Sequence, residues 1–238
     1  MTKTIAIFGA GSGLGTAVAH RFGKQGYKVA LVARRREPLD SLAADLGSGG
    51  IEAAVFTADL AHSGNIAAVV SAIRHRFGSI DAVYYAPVSV IPFFPAQELP
   101  VEVLRNHMEL FVYTPLVLAQ AVLPEMLDRG EGTILMPHGL SGHTAFPFMS
   151  GPGPAAAALR NFLQSLHGEV GAKGIYVGML WIGALIQGSE FHRQHLKNEA
   201  GGQLTGEFPQ ARPDELADIL WELATRKDRF EAVYPPQS

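Results

Sequence analysis

The 238-residue sequence contains no cysteine. That one absence removes disulfide scaffolds, thiolate metal centres and cysteine nucleophiles together. Charge of either sign is scarce: 19 Lys+Arg against 22 Asp+Glu leave a net charge of -3. Nucleic-acid binders are usually basic, so no nucleic-acid partner is expected. No run of about 18 consecutive apolar residues occurs; the nearest, Val177 to Ile186, is about half a membrane span. Met1 to Phe8 hold one lysine and a short apolar run before glycines begin, which does not read as a signal peptide. A soluble, cytoplasmic protein with no membrane partner is the expectation. Fixed-period repeats and low-complexity linkers are also missing. What is present is a 47% hydrophobic chain, enough to bury a full core in one domain of the larger α/β kind.

Short β-branched or apolar runs alternate with longer helical patterns. Strands are predicted at Thr4–Phe8, Lys28–Ala33, Glu52–Thr57, Asp81–Ala86, Thr133–Met136, Ile175–Trp181 and Phe230–Tyr234. Helices are predicted at about 13–25, 37–46, 63–77, 100–128, 154–171 and 213–226. The strand runs are mostly continuous, as expected for strands covered on both faces. Pro38 and Pro213 suit first-turn positions, and Ser63 suits a helix cap. The repeated βα order predicts an α/β, Rossmann-type doubly wound parallel sheet of about seven strands, a single domain over 1–238. Gly183 to Arg212 has little periodicity and follows the sixth strand on the ligand-binding edge, so a substrate lid is expected at about 183–212.

The strongest local signal is Phe8-Gly9-Ala10-Gly11-Ser12-Gly13-Leu14-Gly15, between the first strand and the first helix. Glycines there let the backbone turn sharply and approach a pyrophosphate at the helix N-terminus. A general dinucleotide turn needs glycine or alanine where Leu14 stands; Gly9-x3-Gly13-x-Gly15 is a different spacing. A purely structural turn is the alternative. About twenty residues on, where an NAD site holds a carboxylate, stand Ala33, Arg34 and Arg35. A guanidinium accepts the 2′-phosphate that a carboxylate repels, so NADP(H) is the expected cofactor. Arg36 reads as part of a solvated helix start. Asp59, in Thr57-Ala58-Asp59-Leu60, suits an adenine amino group or, equally well, a local cap. His192-x2-His195 lacks a completing carboxylate–histidine pattern, so no metal is expected.

Together these features resemble the short-chain dehydrogenase/reductase family. The likeness extends to Ala33-Arg34-Arg35 with Leu39, Asp59-Leu60, Phe77-Gly78-Ser79-Ile80-Asp81, Leu123-Pro124-Glu125-Met126, Gly132-Thr133-Ile134 and Asp214-Glu215-Leu216-Ala217. It implies a cofactor site of Gly9, Gly11, Ser12, Gly13, Leu14, Gly15, Arg34, Arg35, Asp59, Leu60 and Ala86. It also implies a homodimer or homotetramer, paired through the long helix 100–128 and the helix from Ala155.

The resemblance further implies an Asn-Ser-Tyr-Lys set, the Tyr acting as acid/base beside the Lys four residues on. Counting along the chain puts the Asn position at Phe111, the Ser at Gly139, the Tyr at Pro152 and the Lys at Ala156. All four are apolar or lack a side chain, and the Asn-Asn-Ala-Gly run after the fourth strand reads Tyr84-Tyr85-Ala86-Pro87. Tyr84, Tyr85, Tyr113, Ser141, His143 and Ser150 lie near the same edge. His138, directly after the fifth strand, is the candidate catalytic residue; a loop histidine bonded to backbone is the alternative. Tyr84 and Tyr85 alternate faces, so at most one points at a nicotinamide.

Three functions stay open on this reading. One is an NADP(H)-dependent oxidoreductase moving hydride to or from a carbonyl or alkene with unusual protic groups. Another is a non-catalytic NADP(H)-binding sensor or scaffold subunit. The third is a remnant that binds nothing. Ile91-Pro92-Phe93-Phe94-Pro95, Phe146-Pro147-Phe148-Met149 and Trp181 suggest an apolar, aromatic-lined substrate pocket.

Overall fold

A computed structural model describes residues 2–88, 93–196 and 208–236. Its strands are β1 (Thr4–Phe8), β2 (Lys28–Ala33), β3 (Ala53–Thr57), β4 (Ala82–Tyr85), β5 (Gly132–Leu135), β6 (His138–Gly139), β7 (Ile175–Ile182), β8 (Leu185–Ile186), β9 (Gln210–Ala211) and β10 (Glu231–Tyr234). The main sheet runs β10-β7-β5-β4-β1-β2-β3, and every pairing is parallel. This is the Rossmann-like doubly wound sheet that the βα alternation predicts. From β1 the chain winds outward to β3, then returns to build the other half from β4. The order therefore reverses between β1 and β4, and a crevice opens there at the carboxyl ends of the strands.

Strand residues point alternately into two cores. Ala6, Phe8, Val83 and Tyr85 face one, under α3 (Ile66–Phe77), α5 (Thr114–Arg129) and α6 (Pro152–Val170). Ile5, Ile7, Ala82 and Tyr84 face the other, under α1 (Leu14–Gly23), α2 (Arg36–Ser48) and α8 (Pro213–Arg226). Both faces being covered explains the unbroken apolar strands. Truncating a core residue such as Leu118 to alanine would cost about 2–5 kcal/mol.

β6 continues the line of β5 beside β7 after a break at Met136-Pro137. The Met136 amide still reaches Gly178 O (3.1 Å), but Pro137 has no N–H to offer. Pairing resumes at His138 opposite Trp181.

Four expectations need correction. The predicted helix 100–128 is α4 (Val101–Met108), a π-helical turn at Glu109–Tyr113, and α5. By length and composition Val101–Arg129 is apolar enough to cross a bilayer, so the greatest apolar length is here rather than at Val177 to Ile186. Ser63 does not cap a helix with its side chain. It opens a 3-10 turn, and its amide donates to Glu109 Oε1 at 2.8 Å. The stretch from Gly183 is not irregular throughout: β8 pairs with β9, and α7 (Glu190–Leu196) lies between them, while 197–207 of the expected lid fall outside the described residues.

Candidate functional site

The glycine turn sits at the mouth of the crevice. Gly9 has φ +91°, and a Cβ there would lie 2.7 Å from Ala86 O, so only glycine lets β1 and β4 meet this closely. Its amide and that of Ala10 both donate to Val32 O, at 2.9 and 3.1 Å. A Cβ on Gly15 would stand 2.7 Å from Gly9 O, whereas Gly11 has only Gly9 O near, at 4.0 Å. Gly13 is the N-cap of α1 and supplies no side-chain cap. Leu14 is buried in the α1 core, which is why the third glycine of a general dinucleotide turn is not needed at that position. Among the described residues, no carbonyl accepts from the N–H groups of Ser12, Gly13, Leu14 or Gly15. These four donors with the positive end of α1 form a cradle of the kind that suits an anion.

At the end of β2, Ala33 is half-buried while Arg34 and Arg35 are exposed. Neither arginine has an ion pair among the described residues, whereas Arg36 pairs with Asp40 at 3.2 Å. Two uncommitted guanidinium groups thus stand beside the cradle. Asp59 is locally engaged: Oδ1 accepts from the Ala61 amide at 3.1 Å, and Oδ2 lies 3.3 Å from His62 Nδ1. Leu60 is buried, and its carbonyl accepts from Thr114 Oγ1 at 2.9 Å.

The other end of the crevice is aromatic. Phe111, inside the π turn, is buried and meets the His138 ring edge to face. His107, one turn earlier, is buried with Nδ1 2.8 Å from Val103 O. Both ring nitrogens of His138 are shielded from solvent and lack a partner of normal hydrogen-bond geometry among the described residues. Burial lowers this imidazole from its ordinary 6.5 to about 4; a weak contact with the Gly139 backbone opposes the shift and nearby His107 adds to it. His138 is therefore neutral at physiological pH, with its hydrogen-bonding capacity unused. Gly139 is exposed, and nothing lies within 4 Å of where its Cβ would be. Pro152 is the first residue of α6, where a missing N–H costs nothing. Ala156 is fully buried, and a Cβ on Gly142 would fall 2.4 Å from its methyl.

The remaining candidates scatter. Tyr84 and Tyr85 are both buried on opposite faces; Tyr85 donates to Leu110 O at 2.6 Å, and burial raises both phenols above their ordinary range. Neither tyrosine is free to meet a substrate. Tyr113 is about half exposed, on the outer side of the π turn. His143 is exposed, 3.1 Å from Thr144 Oγ1 through Nδ1. Ser150 donates to Phe94 O at 3.4 Å, and Ser141 is half-buried. Trp181 is not a pocket wall: it is fully buried and donates Nε1–H to Glu231 at 2.9 Å. Ile91 and Pro92 lie outside the described residues. The Gly188 amide donates to His192 Nδ1 at 3.3 Å, and no group of three or more metal-ligating side chains forms among the described residues.

The described part of the expected lid segment joins the two ends through two side chains that carry no signal of their own in the sequence. Phe191 on α7 stacks edge-on against Phe93 across the crevice, with centroids 5.9 Å apart. Two residues on, Arg193 reaches back to the glycine turn and donates to Ser12 Oγ at 2.8 Å. An arginine in an aperiodic stretch gives no local signal of such a contact.

Residues 3–194 match the family model described as short chain dehydrogenase. Dehydrogenase/reductase SDR family member 7B of Danio rerio is 29% identical over 185 residues, which cover 75% of this chain and 59% of that protein. The match thus spans less than two thirds of that relative. A metagenomic short-chain oxidoreductase in complex with NADP superposes with TM-score 0.80 at 22% identity, covering 100% of this chain and 98% of the other. NAD+-bound xylitol dehydrogenase superposes with TM-score 0.86 at 20% identity, covering 98% and 97%. At these identities the two structures speak for the fold. With the glycine turn, the strand order and the family model in agreement, the chain belongs to the short chain dehydrogenase family.

Proposed function

We propose that the protein binds NADP(H) as a divergent oxidoreductase of this family, working on a carbonyl or alkene without the family's usual proton donor. The observation that carries the cofactor is the pairing of four unshared N–H groups at Ser12–Gly15 with two unpaired guanidinium groups at Arg34 and Arg35. The donors suit a pyrophosphate, and the arginines suit a 2′-phosphate, which NAD lacks. Solved relatives hold NADP in one case and NAD+ in another, so the preference rests on these arginines. Gly9, Gly11, Gly13, Gly15 and Ala86 admit the dinucleotide backbone, Leu14 and Leu60 pack beneath it, and Asp59 borders the adenine end. NADPH, when bound, supplies hydride. The chain's own part is to orient the nicotinamide beside Phe111 and Gly139 and to exclude water there. Neutral His138 is the protic group nearest those positions, able to donate an N–H without carrying charge.

A second reading has its own support. Phe111, Pro152 and Ala156 offer no titratable group, and the half-buried His138 has both ring nitrogens shielded from solvent, so a loaded but barely catalytic sensor or scaffold also fits. NADPH fluorescence titration tests the first point: saturable enhancement at micromolar cofactor is expected, and none up to millimolar overturns it. NADPH consumption across a panel of ketones, aldehydes and enones separates the two readings.

A further inference from the structure

We propose that Arg193 is a pyrophosphate ligand of the bound dinucleotide, a cationic arm of the cofactor site carried on α7 rather than on the glycine turn. The proposal rests on the NADP(H) reading above. Its Nη2 donates to Ser12 Oγ at 2.8 Å across 181 positions of sequence, and Nη1 donates to Gly188 O at 2.6 Å. Ser12 is one of the four residues whose amides are unshared, so the guanidinium stands one hydrogen bond from where a phosphate oxygen would sit. Among the described residues, the acidic side chain that pairs with it is Glu190, at 2.7 Å.

The platform under Arg193 is fixed. Ser189 is buried against Gly13: a Cβ on Gly13, at φ +93°, would lie 3.1 Å from Ser189 Cβ and 3.2 Å from its Cα. The Ser189 amide donates to Ile186 O at 3.1 Å, its Oγ accepts from the His192 amide at 3.0 Å, and its carbonyl accepts from the Arg193 amide at 3.1 Å. The base of the segment is held by the β8–β9 pairing. Arg193 is thus presented to the turn by backbone that is itself docked on the turn.

The chemistry favours a change of acceptor. A hydroxyl is neutral, whereas a pyrophosphate oxygen is anionic, and charge-assisted bonds are about twice as strong as neutral ones. The cradle otherwise offers amide donors, the Ser12 hydroxyl and a helix dipole, so among the described residues Arg193 adds a full positive charge on the α7 side of the pyrophosphate. Arg34 and Arg35 serve the opposite, 2′-phosphate end, and the two charge sites are therefore separable by ligand.

The test is calorimetric titration of the full chain and of Arg193→Gln and Arg34→Ala with NADPH, NADH, ADP-ribose and 2′-AMP. Arg193→Gln should weaken NADPH, NADH and ADP-ribose together by about tenfold, the loss of one charge-assisted contact, and leave 2′-AMP unchanged. Arg34→Ala should do the reverse, weakening NADPH and 2′-AMP while sparing NADH and ADP-ribose. Unchanged ADP-ribose affinity in Arg193→Gln overturns the proposal, including the case where only the dinucleotides weaken, which would place the residue at the nicotinamide end. If the unmodified chain binds none of the four, the NADP(H) reading itself falls and takes this proposal with it. Arg193 is exposed, and the melting of the free variant should match the unmodified protein. Should it not, Arg193→Lys carries the test, with ADP-ribose weakened a few-fold and 2′-AMP unchanged.

Discussion

Phe111 and His138 meet edge to face, with ring centroids 4.5 Å apart and planes at 89°. One ring comes from the π turn of the long helix and the other from β6, so two elements distant in sequence close the inner end of the crevice. The geometry decides the state of the imidazole. An aromatic neighbour and, among the described residues, no polar partner of normal hydrogen-bond geometry make the charged form expensive, and the ring stays neutral.

Folding stability should therefore carry a His138 signature between pH 6.5 and about 4. The folded pKa lies below the unfolded one, so the unfolded chain takes up the proton first as pH falls. Stability is full above 6.5, declines through that window and levels off below it. The span corresponds to roughly 3–3.5 kcal/mol, and His107, lowered in the same direction by burial, adds to it. Chemical denaturation across pH, comparing the unmodified chain with His138→Leu, measures the difference. An imidazole that titrates near 6.5 by NMR in the folded protein would contradict this account.

On the NADP(H) reading, cofactor preference should rest on the arginines after β2. Arg34→Ala should reduce the NADPH-to-NADH affinity ratio several-fold or more, in line with one charge-assisted phosphate contact of roughly 1.5–3 kcal/mol, discounted for exposure. Arg36→Ala should leave the ratio alone, because its guanidinium is already committed to Asp40. Equal effects of the two substitutions would mean that a diffuse positive field, not a specific contact, sets the preference.

Much of this was legible in the sequence because it depends on local chemistry. Gly9, Gly13 and Gly15 announce a turn that excludes a Cβ, and the structure shows what each Cβ would strike. Tyr84 and Tyr85 had to face opposite ways by strand periodicity alone, and they do. The failures are tertiary. Nothing in Glu109–Tyr113 marks a π turn, since its residues continue a helical pattern. Ser63 looks like a cap, but its amide is taken by Glu109, 46 positions away. Trp181 suits a pocket wall by composition, but Glu231 holds its indole inside the core.

The chain should assemble into a homodimer or homotetramer. Val112, Leu116 and Val117 remain half-buried along the π turn and α5, and Tyr113 is half exposed beside them. On α6 the small-residue flank is narrower than the run Ala155 to Ala158 suggests: Ala155 and Ala156 point into the core, leaving Ala157 exposed and Ala158 half-buried. Pairing the two helices across a two-fold would cover this surface. Light scattering at micromolar concentration should give a multiple of 25.5 kDa, and the monomer mass would refute the assembly. Tyr113→Glu should shift the population towards monomer.

Ordinary ketone reduction should be very slow, and restoring the family's residues should fail at one identifiable step. Positioned acid–base groups are worth about 10²–10⁴-fold, and Phe111, Gly139, Pro152 and Ala156 supply none. Gly139→Ser has open space for its side chain and should leave melting unchanged. Pro152→Tyr sits at the half-buried first position of α6 and should cost little. Ala156→Lys is the obstacle, because that methyl is fully buried with Gly142 packed on it and Trp181 alongside. A lysine there meets overpacking and an unpaired charge, a loss of about 1–3 kcal/mol from packing alone and more from desolvation. The single variants should give no turnover, since the tyrosine lacks the lysine that acidifies it and the lysine lacks a phenol to act on. The triple variant should turn over measurably only if the 140–142 turn shifts to admit the ammonium. Melting curves of the three single variants identify the costly step, and NADPH oxidation with a simple ketone reads the outcome. An unmodified protein running at about 1 s⁻¹ or faster would show that another acid exists, and loss of that rate in His138→Ala would identify the neutral imidazole as its source.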